Sequence, residues 1–370
     1  MDNGNWFLVK GADQIDSPAL LIYPERIRHN IIKMIQIAGD PGRLRPHVKT
    51  HKMAEIIRMQ QEAGIDKFKC ATLAEAELLA RSDAKDVLVA YPLTGPWPGR
   101  LMELQKNYPQ TRFSCLVDNP ETLSALEEAA RQAVAKTGVF LDLNVGMNRT
   151  GIPPNKEAER LYARMADSRF TECRGLHVYD GHLRNPDPVQ RGLDCDRAFA
   201  AARKLADRIQ DSGLEVPSIV AGGSPTFPFH AKRKGIELSP GTTLLWDARY
   251  AQQFPEMPFL PAAALLCRII SKPAPGTICL DLGHKAVAAE MDFPRVYLPQ
   301  LPGNTQAGQS EEHLVLKFDG ADSLSIGAEY YAIPMHICPT VIKYPEALVI
   351  RGGEVTERWR IAARDYHLAD

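Results

Sequence analysis

No apolar run in this sequence approaches the ~18–20 residues that cross a bilayer, which argues against a membrane-spanning helix. Charge of one sign is also missing. Lys and Arg total 44 against 45 Asp and Glu, for a formal net charge of −1, so nothing basic recruits nucleic acid or an anionic membrane. The cysteines number seven and none forms a C-x-x-C pair. An odd, scattered set argues against a disulfide framework and for a reducing compartment. The residues before Ser17 show no charged-then-apolar leader, so the cytoplasm is the expected location. No Gly-x-Gly-x-x-Gly follows the first apolar run, which lowers a dinucleotide-binding reading. Internal repeats and low-complexity tracts are absent too. What is present is ordinary for a globular enzyme: 45% hydrophobic and 24% charged residues over 370 positions, too long for one small core.

From about residue 18 short apolar runs alternate with helical patterns. The runs fall at 19–23, 44–48, 68–70, 87–90, 113–117, 139–143, 175–178, 218–221 and 237–238. Near-continuous apolarity in such short runs, with helices between, means parallel strands covered on both faces. Eight to nine strands before residue 250 fit a closed (β/α)8 barrel of the TIM type better than an open doubly wound sheet. After about Pro255 the helical periodicity stops. Runs at 265–271, 277–282, 313–318, 340–342 and 348–350, punctuated by Pro and Gly, read as a β domain. The expected division is a barrel over 18–250 and a β domain from 251–370, which residues 1–17 join.

A parallel barrel carries its chemistry at the C-terminal strand ends. There the sequence places Lys49 after the second run, Arg149 in Asn144-Val145-Gly146-Met147-Asn148-Arg149, and Tyr179-Asp180-Gly181-His182. Gly222-Gly223-Ser224-Pro225 and Ser239-Pro240-Gly241-Thr242 follow the last two strands. Each of these is an ordinary turn taken alone. Two at neighbouring strand ends offer backbone N–H groups and hydroxyls to a phosphate. Lys49 ends an apolar strand, where a charged group is unusual. Burial there would lower its pKa and make it nucleophilic toward an aldehyde; a lysine snorkelling to the rim is the bland alternative. Lys52 is the rival amine, expected in the opening turn of a helix and facing solvent. Near the C-terminus, His336-Ile337-Cys338 puts imidazole and thiol two residues apart, on one face of an extended segment. That donor pair suits zinc, and it is equally compatible with plain packing.

The run Arg45-Pro46-His47-Val48-Lys49-Thr50-His51-Lys52 resembles the cofactor-lysine motif of the D-threonine aldolase and D-serine dehydratase family, enzymes of the alanine racemase-like fold-type III. Gly146-Met147-Asn148-Arg149-Thr150-Gly151 resembles that fold's arginine motif, and Ser239-Pro240-Gly241-Thr242 its second phosphate turn. Ser310-Glu311-Glu312-His313 and His336-Ile337-Cys338-Pro339-Thr340 resemble metal-side motifs of the aldolase/dehydratase branch. The resemblance runs along nearly the whole chain. It implies that the barrel carries pyridoxal 5'-phosphate, bound to Lys49 as a Schiff base. Arg149 would approach the phenolic oxygen, Tyr179 would lie beside the cofactor, and Gly222, Gly223, Ser224, Gly241 and Thr242 would bind its phosphate. Ser239 stands where alanine racemases place an arginine opposite the pyridine nitrogen. His182 is the candidate base, although it comes sooner after the tyrosine than in some bacterial aldolases. His336 and Cys338 would hold a divalent metal (Zn, Mn or Mg), and family members are homodimers. The implied activity is retro-aldol cleavage of a small D-3-hydroxy amino acid such as D-threonine. D-serine dehydration, 3-hydroxyaspartate cleavage and racemization are the alternatives.

Overall fold

A computed structural model of the chain describes residues 5–367; the expected β-domain ends at 1–4 and 368–370 lie outside the described residues. By contacts the chain forms two units. Among the described residues, one comprises 34–49, 57–241 and 366–367, and the other 5–33, Thr50–Ile56 and Thr242–Asp365.

The first strand, β1 (Ala19–Ile22), is followed by the helix α1 (Pro24–Ala38). Seven parallel strands then make one sheet: β2 (Lys67–Cys70), β3 (Asp86–Pro92), β4 (Arg112–Val117), β5 (Thr137–Leu143), β6 (Thr171–Val178), β7 (Ser218–Ala221) and β8 (Ile236–Leu238), paired in that order. The eighth stave is the extended segment 44–47. Leu44 bridges Leu238 and His47 bridges Lys69, which joins the two edges into the expected barrel. Arg45 N donates to Leu238 O at 2.8 Å and Lys69 N to Pro46 O at 2.9 Å. Leu88, Leu116, Phe140 and Val220 fill the interior, as a packed barrel requires. At the N-terminal strand ends the buried Arg45 guanidinium donates to Asp86 at 2.6 Å and to Glu237 at 2.7 Å. Four of the helices between the strands start on side-chain caps. Thr72 Oγ1 accepts from Glu75 N while Glu75 Oε2 accepts from Ala71 N, a reciprocal pair that satisfies two otherwise orphaned donors. Asn119, Asn155 and Asp187 cap three more.

The run at 19–23 corrects the sequence reading. It forms β1, but β1 pairs with β9 (Ala263–Ala274) and with the later strand Glu346–Arg351, not with the barrel strands. A short, continuously apolar strand reads alike in any buried sheet, so periodicity could not assign it. Its sheet continues as β10 (Thr277–Leu280), β11 (Val296–Tyr297), β12 (Thr305–Gln309), β13 (Leu314–Lys317), β14 (Glu329–Pro334), β15 (Glu346–Arg351) and β16 (Glu354–Arg360). The order is β12-β13-β10-β9-β1-β15-β16, with β14 on β9 and β11 on β14. Phe7 and Val9 pack with Leu21, Leu266, Tyr331 and Ile350 on its core face. The run at 340–342 is not a strand. A short helix spans Ile337–Val341, and Pro339 suits its first turn, where a missing N–H costs nothing. Lys52, expected in a helix and facing solvent, is instead buried at 9% exposure with φ +56°.

Candidate active site

In the barrel unit the C-terminal strand ends bring most of the expected residues together. Lys49 follows Val48 in a single 3-10 turn closing the 44–47 stave. Three basic groups surround the Tyr179 ring: Lys49 Nζ at 5.9 Å, Lys69 Nζ at 5.4 Å and the Arg149 guanidinium at 5.1 Å from its centroid. A cavity beside them is lined by Asp142, Asn144, Arg149, Thr150, His177 and Tyr179. His182 is exposed, and its Nε2 lies 2.9 Å from where a Cβ on Gly146 would sit, which puts it against the arginine loop.

The two glycine turns meet in the same unit. Gly222 adopts φ +83°, and a Cβ there would meet His230 Cδ2 at 2.7 Å. On Gly223 a Cβ would come 3.1 Å from the Tyr179 ring. Only glycine fits such a turn. Gly241 N donates to Ser224 Oγ at 3.2 Å, and Ser239 Oγ donates to the Gly222 carbonyl at 2.9 Å. An amine, a guanidinium and two glycine turns are the chemistry that a phosphorylated aldehyde needs, so these residues fit pyridoxal phosphate.

Sequence reading missed the pocket's buried polar chain. Lys69 is 2% exposed, and its Nζ donates to Ser239 Oγ at 2.5 Å and to His177 Nε2 at 3.4 Å. Burial, then the charge of Lys49, pushes its amine down to about 7. His177 Nδ1 donates to Asp142 Oδ1 at 2.7 Å. Burial holds the imidazole below its ordinary pKa although Asp142 opposes this. A local signal existed only for Asp142, which interrupts the apolar strand Thr137–Leu143; Lys69 alternates with Lys67 in β2, and His177 follows Glu172 and Arg174 in β6.

Asp180, Cys195 and His230 are buried, with ligand-type atoms within 4.8 Å of one another. These atoms already have partners. Asp180 accepts from Thr226 Oγ1 at 2.7 Å and from His230 Nε2 at 2.8 Å. The Arg233 guanidinium donates to His230 Nδ1 at 2.8 Å and reaches Cys195 Sγ at 3.7 Å. A cation already stands at this cluster. Since Gly223 N donates to Thr226 Oγ1 at 3.1 Å, the cluster buttresses the first glycine turn.

In the other unit, His336 caps the helix Ile337–Val341 in extended conformation, and its imidazole hydrogen-bonds Cys338. His336 Nδ1 also donates to Glu290. Asp247 Oδ2 accepts from Ile337 N at 3.3 Å, and burial pushes that carboxyl up to about 6. Thr50 Oγ1 lies 3.2 Å, and Thr242 Oγ1 3.6 Å, from Cys338 Sγ. Thr242, expected on the phosphate, therefore has its described contact in this unit. Burial lowers the imidazole pKa, but Cys338, Glu290 and Asp247 raise it to about 9. Anionic partners that hold a proton on a histidine beside a thiol are also a donor set that fits a divalent ion of the zinc or manganese type. Glu290 and Asp247 were not foreseen, because nothing in their spacing ties them to His336. In the Ser310–His313 run, Glu311 and Glu312 are on the surface and pair with Lys285 at 2.8 and 2.9 Å.

Comparison with known proteins agrees with this arrangement. The family model described as alanine racemase, N-terminal domain, matches residues 22–248; a putative serine dehydratase domain matches 262–350. A D-threonine aldolase from an Arthrobacter species is 28% identical over 95% of this chain and 94% of its own length. A 3-hydroxy-D-aspartate aldolase from Paracoccus denitrificans (strain Pd 1222) is 26% identical over 95% and 92%. The crystal structure of D-threonine aldolase from Filomicrobium marinum is similar at a TM-score of 0.89 and 28% identity, covering 96% of this chain and 98% of that one. The first model spans more than half of the chain, and the chain belongs to the alanine racemase-like, fold-type III family of pyridoxal phosphate enzymes, in the D-threonine aldolase and D-serine dehydratase branch.

Proposed function

We propose that this enzyme is a metal-assisted lyase that cleaves D-3-hydroxy amino acids, with D-threonine giving glycine and acetaldehyde. The observation that carries the reading is the imidazole–thiol pair of His336 and Cys338 with carboxylates at hand, in a chain whose barrel unit also gathers Lys49, Arg149 and two glycine turns. When bound, pyridoxal phosphate withdraws electrons from the substrate's Cα, and the metal polarises its hydroxyl. Lys49 supplies the amine that holds the cofactor's aldehyde. Arg149 would approach its phenolic oxygen and Tyr179 would lie beside the cofactor. Gly222, Gly223, Ser224 and Gly241 receive its phosphate, with Thr242 the remaining candidate. Ser239, buried and neutral, stands for the racemase arginine. His336 and Cys338 hold the metal. His182 takes the hydroxyl proton at its imidazole as the Cα–Cβ bond breaks. The reading includes a homodimer, which the family resemblance supports, in the cytoplasm, which the scattered cysteines support.

A second reading, loss of the hydroxyl from D-serine to give pyruvate and ammonia, is favoured by the serine dehydratase-type match over 262–350. A product assay on protein loaded with pyridoxal phosphate and Mn²⁺ or Zn²⁺ separates the two. Glycine and acetaldehyde from D-threonine, lost on adding EDTA, are the expected result. Pyruvate from D-serine with no glycine from D-threonine would replace the aldolase by the dehydratase. The Paracoccus denitrificans relative is named for 3-hydroxy-D-aspartate, so that substrate belongs in the same assay.

A further inference from the structure

A continuous chain of hydrogen bonds runs from the first glycine turn to the arginine loop. Ser239 Oγ donates to the Gly222 carbonyl, and Lys69 Nζ donates to Ser239 Oγ and His177 Nε2. His177 Nδ1 donates to Asp142 Oδ1. Thr150 Oγ1, next to Arg149, donates to Asp142 Oδ2 at 2.9 Å. Four strand ends contribute: Lys69 from β2, Asp142 from β5, His177 from β6, and Ser239 just beyond β8.

Within this chain the protons are unequally committed. Ser239 has given its hydroxyl proton to a carbonyl. Burial keeps His177 neutral, with one nitrogen donating to Asp142 and the other accepting from Lys69. That leaves the Lys69 amine, whose third proton is optional. The charged groups acting on it come from several elements. Lys49 and Arg45 oppose its charge, while Asp142 and Asp180 support it. Arg149 joins Lys49 and Lys69 about the Tyr179 ring and also lowers the His177 pKa. The balance shifts when the pocket's contents change. An anion arriving at the glycine turns makes a charged Lys69 less costly.

We propose that Lys69 is the proton-holding residue of the cofactor pocket: its amine takes up a proton as pyridoxal phosphate is loaded, and its bonds to Ser239 and His177 carry that charge to the phosphate turn and toward the arginine loop. This rests on the cofactor reading above. Lys69 acts through its neighbours, as a positioning residue.

The sign follows from linkage. Without cofactor the amine titrates near 7, and with it at a higher pH. Between those values the loaded protein holds more protons than the empty one. Loading therefore takes up protons and weakens as pH rises, by up to about tenfold in Kd per pH unit.

The test titrates pyridoxal phosphate into cofactor-free protein from about pH 6.5 to about pH 9, following absorbance. Calorimetry at about pH 7.5 in buffers of different ionisation heat counts the protons. Wild type is compared with K69M, which cannot hold the proton, and K69R, which cannot release it. Proton changes at Lys49 and on the cofactor itself are common to all three, so the difference isolates Lys69. The expected result is greater proton uptake and a steeper pH dependence in wild type than in either variant. Equal proton counts and equal slopes in wild type and K69R would overturn the proposal, and that comparison stands even where K69M fails to fold. If wild type shows no cofactor absorbance at any pH, the cofactor reading itself fails and takes this proposal with it, an outcome plainly distinct from equal slopes.

Discussion

Glu290 accepts the Nδ1 proton of His336, which fixes the tautomer and leaves Nε2 as the nitrogen available to a metal. Carboxylates in this position raise ligand basicity and hold the ring in place. Glu290→Gln is expected to weaken metal binding about 10–100-fold, measured by competition with a chromophoric chelator, with turnover recovering at high metal. Unchanged affinity would show that the carboxylate only decorates the surface. Residues of this kind explain which parts of the site were legible. Lys49, Arg149 and His336-Ile337-Cys338 sit in short runs whose chemistry is local. Glu290 is 46 positions from His336, and Asp142 is 35 from His177, so only the fold pairs them. Lys69 alternates with Lys67 in β2, a pattern that a solvated strand edge shares, so nothing local sets its amine apart.

The strands of the barrel were readable because both faces are covered, so apolar residues dominate runs such as Val87–Ala90, Val139–Leu141 and Ile219–Ala221. What such a pattern does not encode is the sheet that a strand enters. The run at 19–23 is as apolar as its barrel counterparts, yet β1 lies between β9 and β15. The stave at 44–47 contains Arg45 and Pro46 and makes only isolated bridges, but it closes the barrel. Its buried arginine does the closing, bonded to Asp86 at the start of β3 and to Glu237 in β8. Arg45 is 2% exposed, and truncating one member of a buried ion network leaves the others charged and desolvated. Arg45→Met is expected to cost about 3–5 kcal/mol of stability, read from the urea midpoint of the cofactor-free protein. A shift below about 1 kcal/mol would mean that Arg112 and Arg174, which also reach Asp86, take over its role.

Across the whole chain, the residues assigned to cofactor and to metal divide between the two units. Lys49, Lys69, Arg149, Tyr179, Gly222–Ser224, Ser239 and Gly241 belong to one; Asp247, Glu290, His336 and Cys338 belong to the other, together with the phosphate candidate Thr242. The partition falls after Lys33, Lys49, Ile56, Gly241 and Asp365, and the break after Gly241 comes before the change of texture at Pro255. Sequence texture registered the end of the helical pattern, not the last strand turn, because the segment 242–254 still carries a 3-10 turn and a short helix. Separate ligand sets should load separately. Chelation is therefore expected to remove the metal and abolish turnover while the cofactor's absorbance persists and its Kd changes by less than about twofold. Turnover should return on adding Mn²⁺ or Zn²⁺ without fresh cofactor. A ligand that binds only the folded state stabilises by RT ln(1 + [L]/Kd), about 2.7 kcal/mol at a hundredfold excess over Kd. Metal and cofactor should thus raise the thermal midpoint independently, and their two increments should add. Loss of the cofactor signal on chelation, or a midpoint gain from metal that appears only when cofactor is present, would show instead that the two ligand sets bind as one.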